Sequence, residues 1–221
     1  MKLFLNALEK YVMGLLFMAV LVFWPAGSLR FWNGWLLIGL LFGPMLILGV
    51  VLFTKAPKLL EKRLSAKEKM ADQQGVVAVS GLMFLGGFVV AGLDHRFGWS
   101  TMPDWVVTLA AVVFLISYAL YAEVMRENAY LSRTIEVQEG QKVIDTGLYS
   151  VVRHPMYMVT LWLFLAIPLI LGSWYALILF IVYPAVIAVR IRGEEKLLEE
   201  ELPGYKEYKK KVKYRMIPFI W

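Results

Sequence analysis

The sequence predicts an all-α, polytopic membrane protein: a bundle of five to six transmembrane helices whose last two form a helical hairpin. Composition is the first reason. The 221 residues are 60% hydrophobic, with a mean hydropathy of +0.64, whereas a soluble domain is nearer half apolar. The second is that the excess lies in long runs, as a bilayer crossing of about 20 residues demands. The third is charge placement. Residues 54–74 hold six Lys and Arg, 125–155 hold four, and the tail from residue 190 holds nine, with Lys2 and Lys10 before them; the alternate loops hold only Arg30 and Arg96. Cytoplasmic loops carry the basic excess. Both termini, both long loops and any site built from them are therefore expected on the cytoplasmic side.

The elements follow in order. The first run covers 11–24 and extends a few residues earlier. It resembles a signal peptide, with Pro25-Ala26-Gly27-Ser28 where a cleavage region would lie, but Glu9 weakens the leading segment and the run is expected to stay as a span. The second run, 35–53, has an expected kink at Gly43-Pro44. The third, 76–93, carries Gly81, Gly86 and Gly87, which allow close helix contact. The fourth is 105–122. Residues 158–189 are too long for one span and short for two, and Pro168, Gly172 and Ser173 break their middle. Two short or tilted helices are expected, the second distorted by Pro184. Between the second and third runs, 56–70 is rich in Lys and Glu with Leu59, Leu60 and Leu64 along one side; it reads equally as an interfacial or a solvated connecting helix.

Composition also excludes chemistry. With no cysteine, disulfides, thiolate metal sites and cysteine nucleophiles drop out. Two histidines, His95 and His154, do not make a multi-histidine metal centre, and no metal is expected. The net charge of +6 points to anionic headgroups and topology rather than to nucleic acid, for which no basic aromatic module is present. No Ser-His-Asp set, phosphate loop or dinucleotide fingerprint is present.

Chemistry that needs several polar groups must come from 125–155 and 190–221. Asn128, Ser132 and the stretch from Gln138 to Tyr149 are rich in turn formers and hydrogen-bonding side chains; taken alone, they read as a surface loop. Pro155 suits the first position of a helix. His154 then sits at a helix N-terminus, where free N–H groups favour an anionic ligand group such as a carboxylate. Tyr157, three residues on, shares its face. Arg153 is read as a marker of the cytoplasmic face. Arg190 and Glu194 lie four apart at the end of the last span, on one face, and can pair. Glu195, Glu199, Glu200 and Glu201 read as a solvated face opposite Lys196. The run Tyr205-Lys206-Glu207-Tyr208-Lys209-Lys210-Lys211 reads as a membrane-surface anchor.

The set Gly147-Leu148-Tyr149, Arg153-His154-Pro155-x-Tyr157, Arg190-x-x-x-Glu194-Glu195-x-x-Leu198 and Tyr205-x-x-Tyr208 resembles the isoprenylcysteine carboxyl methyltransferase family and the related phospholipid methyltransferases. The resemblance covers about residues 118–221. It implies one integrated domain, with N-terminal spans over 1–117 and a catalytic region over 118–221. It also implies S-adenosylmethionine as cofactor, S-adenosylhomocysteine as product, and a lipophilic or lipidated acceptor entering sideways from the membrane lipids. The implied cofactor contacts are Gln138, Gln141, Lys142, Val143, Ile144, Tyr149, His154, Pro155, Met156, Tyr157 and Glu194. Arg190 falls at the substrate-facing position, and Arg190 and Glu194 are the implied catalytic pair. The chain departs from the pattern in three places: Ile191-Arg192-Gly193 follows Arg190, the segment between Glu195 and Tyr205 is one residue short, and Pro203-Gly204 replaces an acidic pair.

Two other readings stand beside this one. Sterol reductases, which use NADPH, have a similar tail with paired tyrosines and an ending like Tyr214-Arg215-x-Ile217-Pro218. A non-catalytic lipid-binding membrane protein would bind no cofactor.

Overall fold

A computed structural model describes residues 2–64, 71–131 and 136–221. Among these residues the regular structure is helical throughout, with no strand: α1 (Lys2–Ala26), α2 (Trp32–Lys55), α3 (Pro57–Leu64), α4 (Ala71–Phe97), α5 (Asp104–Glu127), α6 (Pro155–Ile170), α7 (Trp174–Phe180), α8 (Tyr183–Glu201) and α9 (Tyr205–Lys211). Five stretches are long and apolar enough to cross a membrane: α1, α2, Gln74–Phe97 of α4, α5, and the α7–α8 stretch Trp174–Glu201; α6 is apolar but shorter. The five-to-six count and the terminal hairpin are thus both present. α2 runs unbroken through Pro44.

The hairpin breaks where its sequence requires. Gly172 takes a left-handed φ of 75° at the turn, and Ser173 caps α7 by accepting the Ala176 N–H at 3.0 Å. A second break at Ile181 and Val182 precedes Pro184 in the first turn of α8. Small residues set two crossings. A Cβ on Gly92 would stand 2.9 Å from the backbone of Ala26 and of Val22, so α1 and α4 touch backbone to backbone there. A Cβ on Gly87 would enter the Phe180 ring of α7, and one on Gly86 would meet Leu179 at 3.7 Å. Gly81 has nothing within 4 Å, so it makes no close helix contact.

The two ends of the bundle differ. At one end lie Arg30, Arg96 and the hairpin tip. There the buried Asp94 carboxylate accepts from the Ser100 N–H (2.7 Å), the Ser100 hydroxyl (2.6 Å) and the Ser173 hydroxyl (2.5 Å). At the other end the long loops and the tail meet: Lys10 donates to the Leu64 carbonyl at 2.7 Å, Lys62 to the Gln138 side chain, and Lys211 to Asp145 at 2.8 Å. α3 turns Leu59 and Leu60 into the protein. The rest of the segment read as an interfacial helix, 65–70, lies outside the described residues, as do Ser132 and Arg133.

Candidate active site

Pro155 opens α6 and His154 occupies its N-cap, as the spacing predicts. The chain entering α6 is paired with the tail: the N–H groups of Arg153 and His154 donate to the carbonyls of Tyr214 (2.9 Å) and Arg215 (2.8 Å). Arg153 corrects its expected role as a topology marker. It is 6% exposed, and its Nε donates to Glu195 Oε1 at 2.7 Å while Nη1 donates to the carbonyls of Val212 (2.7 Å) and Lys213 (2.9 Å). Glu195 is likewise not part of a solvated face: it is 3% exposed and its other oxygen accepts from Arg215 Nε at 2.9 Å. The reason is helical period. Ile187, Ile191 and Glu195 recur at four-residue intervals and share the buried face of α8. That apolar stripe, followed one step further, was the signal that could have placed Glu195 inside.

Beside this pair, the Tyr157 hydroxyl donates to Glu194 Oε2 at 2.6 Å and accepts from Arg190 Nε at 3.0 Å. Arg190 and Glu194 therefore share one hydroxyl from the opposite arm of the hairpin. The buried His154 ring lies between consecutive carboxylates, with Nδ1 3.8 Å from Glu194 and Nε2 3.4 Å from Glu195.

The loop read alone as a surface segment forms one wall. Tyr149 sits on a 3-10 turn, Gly147–Ser150, where its hydroxyl accepts from Asn128 Nδ2 at 2.9 Å. Gly147 has φ of 50°, and a Cβ there would collide with the Glu127 carboxylate, which accepts the Leu148 N–H at 3.2 Å. The tail corrects a further expectation. Tyr205 and Tyr208 are buried, not displayed as a membrane anchor: three apart on α9, they pack with Leu202, Val212 and Val143. The Tyr208 hydroxyl donates to the Tyr149 carbonyl at 2.7 Å. Their lysine neighbours face outward, Lys209 to Glu199 and Lys211 to Asp145. The Lys211 ammonium holds the exposed Asp145 carboxyl below its ordinary value.

These elements enclose a cavity of about 780 Å³. Its polar end is lined by Gln141, Lys142, Val143, Ile144, Tyr149, His154, Pro155, Met156 and Glu194 from the expected set, and closed by Leu202, Tyr205 and Tyr208. Tyr157, Thr160, Tyr183 and Arg190 line its middle. An apolar arm continues inward between α2, α4 and α6, past Met45, Leu48, Val77, Phe84 and Phe164. Gln138 stands apart from this lining. Its Nε2 donates to the Tyr130 carbonyl at 2.6 Å and its N–H to the Gln141 side chain at 2.9 Å, so it shapes the loop.

The donor set fits an amino-acid-bearing nucleoside such as S-adenosylmethionine. A carboxylate (Glu194) suits ammonium or ribose hydroxyls, Lys142 beside the positive end of α6 suits a carboxylate although the His154 N–H expected to be free there donates to the Arg215 carbonyl, and tyrosine faces suit a base. The volume is within the usual range of ligand sites. Among the described residues, two buried side-chain atoms lack a hydrogen-bond partner: His154 Nε2, which faces Glu195 at 3.4 Å, and Tyr205 Oη, which belongs to a residue of this wall. Buried polar groups are rarely left so.

Burial pushes the hydroxyls of Tyr149, Tyr205 and Tyr208 above the ordinary phenol value of 10.0. Their raised values make the contribution complete at neutral pH. It is lost as pH rises past about 10, where the unfolded chain ionises first, at up to about 1.4 kcal/mol per tyrosine per pH unit. Melting in detergent at pH 8 and at pH 11 checks this, and a lower melting temperature at pH 11 is expected.

Over 98 residues, 44% of this chain and 58% of the relative, the sequence is 33% identical to an uncharacterised protein, YpbQ, of Bacillus subtilis (strain 168). Over 91 residues, 40% of the chain, it is 33% identical to a Delta(14)-sterol reductase of Mus musculus, of which it spans 22%. The chain thus spans less than two thirds of either curated relative. Residues 105–203, which build α5, the loop and the hairpin around the cavity, match the phospholipid methyltransferase family and bear out for this region the resemblance carried by its motifs.

Proposed function

We propose that this protein is an integral membrane, S-adenosylmethionine-dependent methyltransferase acting on a lipophilic acceptor, with its site on the cytoplasmic side. The observation that carries the reading is one cavity that joins the His154–Tyr157–Glu194 cluster, which lies in the region 105–203 matching the phospholipid methyltransferase family, to an apolar arm inside the bundle that α2 and α4 help to line. When bound, the cofactor supplies a methyl group already activated on sulfonium, so the protein's task is positioning and water exclusion. Glu194, and Lys142 at the positive end of α6, would hold the amino-acid and ribose groups. The tyrosines of loop and tail cover them. Arg190, one turn deeper on α8, orients the acceptor where the apolar arm begins. A carboxylate acceptor takes the methyl group without proton transfer. An amine acceptor must first lose a proton, and Glu194 is the base within the cluster. The basic ends of the helices favour the cytoplasmic leaflet.

The sterol reductase similarity supports a second reading, NADPH-dependent reduction, because it is a separate match at 33% identity. One experiment separates the two. In detergent, S-adenosylhomocysteine at a hundred times its dissociation constant adds about 2.7 kcal/mol, a rise in melting temperature of roughly 5–10 °C. A rise with NADPH and none with S-adenosylhomocysteine would overturn the methyltransferase reading. Incubation with labelled S-adenosylmethionine and a lipid extract then identifies the acceptor.

A further inference from the structure

Glu195 is left over by the proposed reaction. It does not line the cavity, yet it is 3% exposed and takes two arginines, Arg153 at 2.7 Å and Arg215 at 2.9 Å. A buried ion pair repays its desolvation only when further hydrogen bonds satisfy it. Here those bonds all reach one stretch of tail. Arg153 Nη1 holds the carbonyls of Val212 and Lys213, the N–H groups of Arg153 and His154 hold those of Tyr214 and Arg215, and Arg215 returns its side chain to Glu195. Every residue from 212 to 215 is therefore tied to residues 153–154 or to Glu195. The tail just before this strap carries Tyr205 and Tyr208, which close the polar end of the cavity. The same carboxylate stands 3.4 Å from His154 Nε2, on the side of the ring opposite Glu194.

We propose that Glu195 is a positioning residue for this site: through Arg153 and Arg215 it straps the tail across the cavity, and it sets the His154 ring toward Glu194. The role rests on the methyltransferase reading above. It differs from that of a merely stabilising ion pair, which would lower the melting temperature without selectively opening the tail or weakening the ligand.

The test uses the whole protein in detergent. Trypsin nicking after Lys209, Lys210, Lys211 and Lys213 reports tail opening without ligand, and titration with S-adenosylhomocysteine reports the site. Glu195→Gln is expected to speed nicking at these lysines at least tenfold while the membrane helices stay uncut, and to weaken S-adenosylhomocysteine at least tenfold, with Glu195→Asp recovering part of both. If Glu195→Gln does not fold, Arg215→Met, which leaves the Arg153–Glu195 pair in place, carries the same expectation. Nicking and affinity within twofold of wild type in the folded variant would overturn the proposal. So would losses that appear only together with unfolding of the bundle. A wild-type protein that binds no S-adenosylhomocysteine at all would instead overturn the methyltransferase reading, and with it the role toward the ligand.

Discussion

On the methyltransferase reading, Glu194→Ala is expected to remove half or more of the stabilisation by S-adenosylhomocysteine at a hundred times its dissociation constant, and His154→Ala to do the same, whereas Arg190→Ala keeps most of it and lowers turnover. The division follows from position along α8. Glu194 lies at the polar end, within 3.8 Å of His154, and accepts the Tyr157 hydroxyl at 2.6 Å. Arg190 is one turn, about 6 Å, further in, on the donor side of the same hydroxyl and toward the apolar arm. Losing a hydrogen bond to a charged group costs about 1.5–3 kcal/mol, a tenfold to hundredfold loss of affinity. In Glu194→Ala the Tyr157 hydroxyl also loses its acceptor, which adds to the loss. Ligand-free melting of each variant separates affinity from folding, and turnover is read with the lipid extract. Equal loss of binding in all three would show that Arg190 holds the cofactor and not the acceptor.

The spans, the hairpin and the N-terminus of α6 were legible because each rests on a local rule: run length, a proline at the first helical position, and a glycine and serine at a turn. The polar residues of the site were legible as types. Their partners were not, because partners come from elements 20 to 60 residues apart. Arg153 looked like a loop cation because its ligands, Glu195 and the carbonyls of 212 and 213, lie 42 to 60 residues away. Tyr205 and Tyr208 looked like interfacial aromatics because alternation with lysine is the same in a membrane anchor and in a helix with one buried face. Glu195 was misread although its signal was local, since a carboxylate at the end of the Ile187–Ile191 stripe contradicts the apolar pattern unless a buried cation answers it. Nothing in the sequence marks Asp94: it stands just past the third run, and its partners Ser100 and Ser173 are small hydroxyls with no motif.

Asp94→Ala is expected to be the largest purely structural loss, about 3 kcal/mol, or roughly 6–12 °C in melting temperature. The carboxylate is 1% exposed and gathers three donors: the Ser100 N–H and hydroxyl, and the Ser173 hydroxyl. Ser173 in turn caps α7 at Ala176, so one side chain joins the end of α4 to the turn between α6 and α7. Alanine leaves the buried Ser173 hydroxyl and the part-buried Ser100 donors without this acceptor. Asparagine need not. Its oxygen can keep the Ser100 N–H, and its amide can face the two hydroxyls, which rotate to accept. Asp94→Asn should therefore cost about 1 kcal/mol or less. A cost equal to that of alanine would mean that the negative charge, and not the hydrogen bonding, holds the joint. Because this joint is at the end of the bundle away from His154 and Glu194, the folded Asp94→Ala protein should bind S-adenosylhomocysteine with its wild-type dissociation constant. A weakened ligand in that variant would show that the hairpin transmits strain from its tip to the cavity at its mouth.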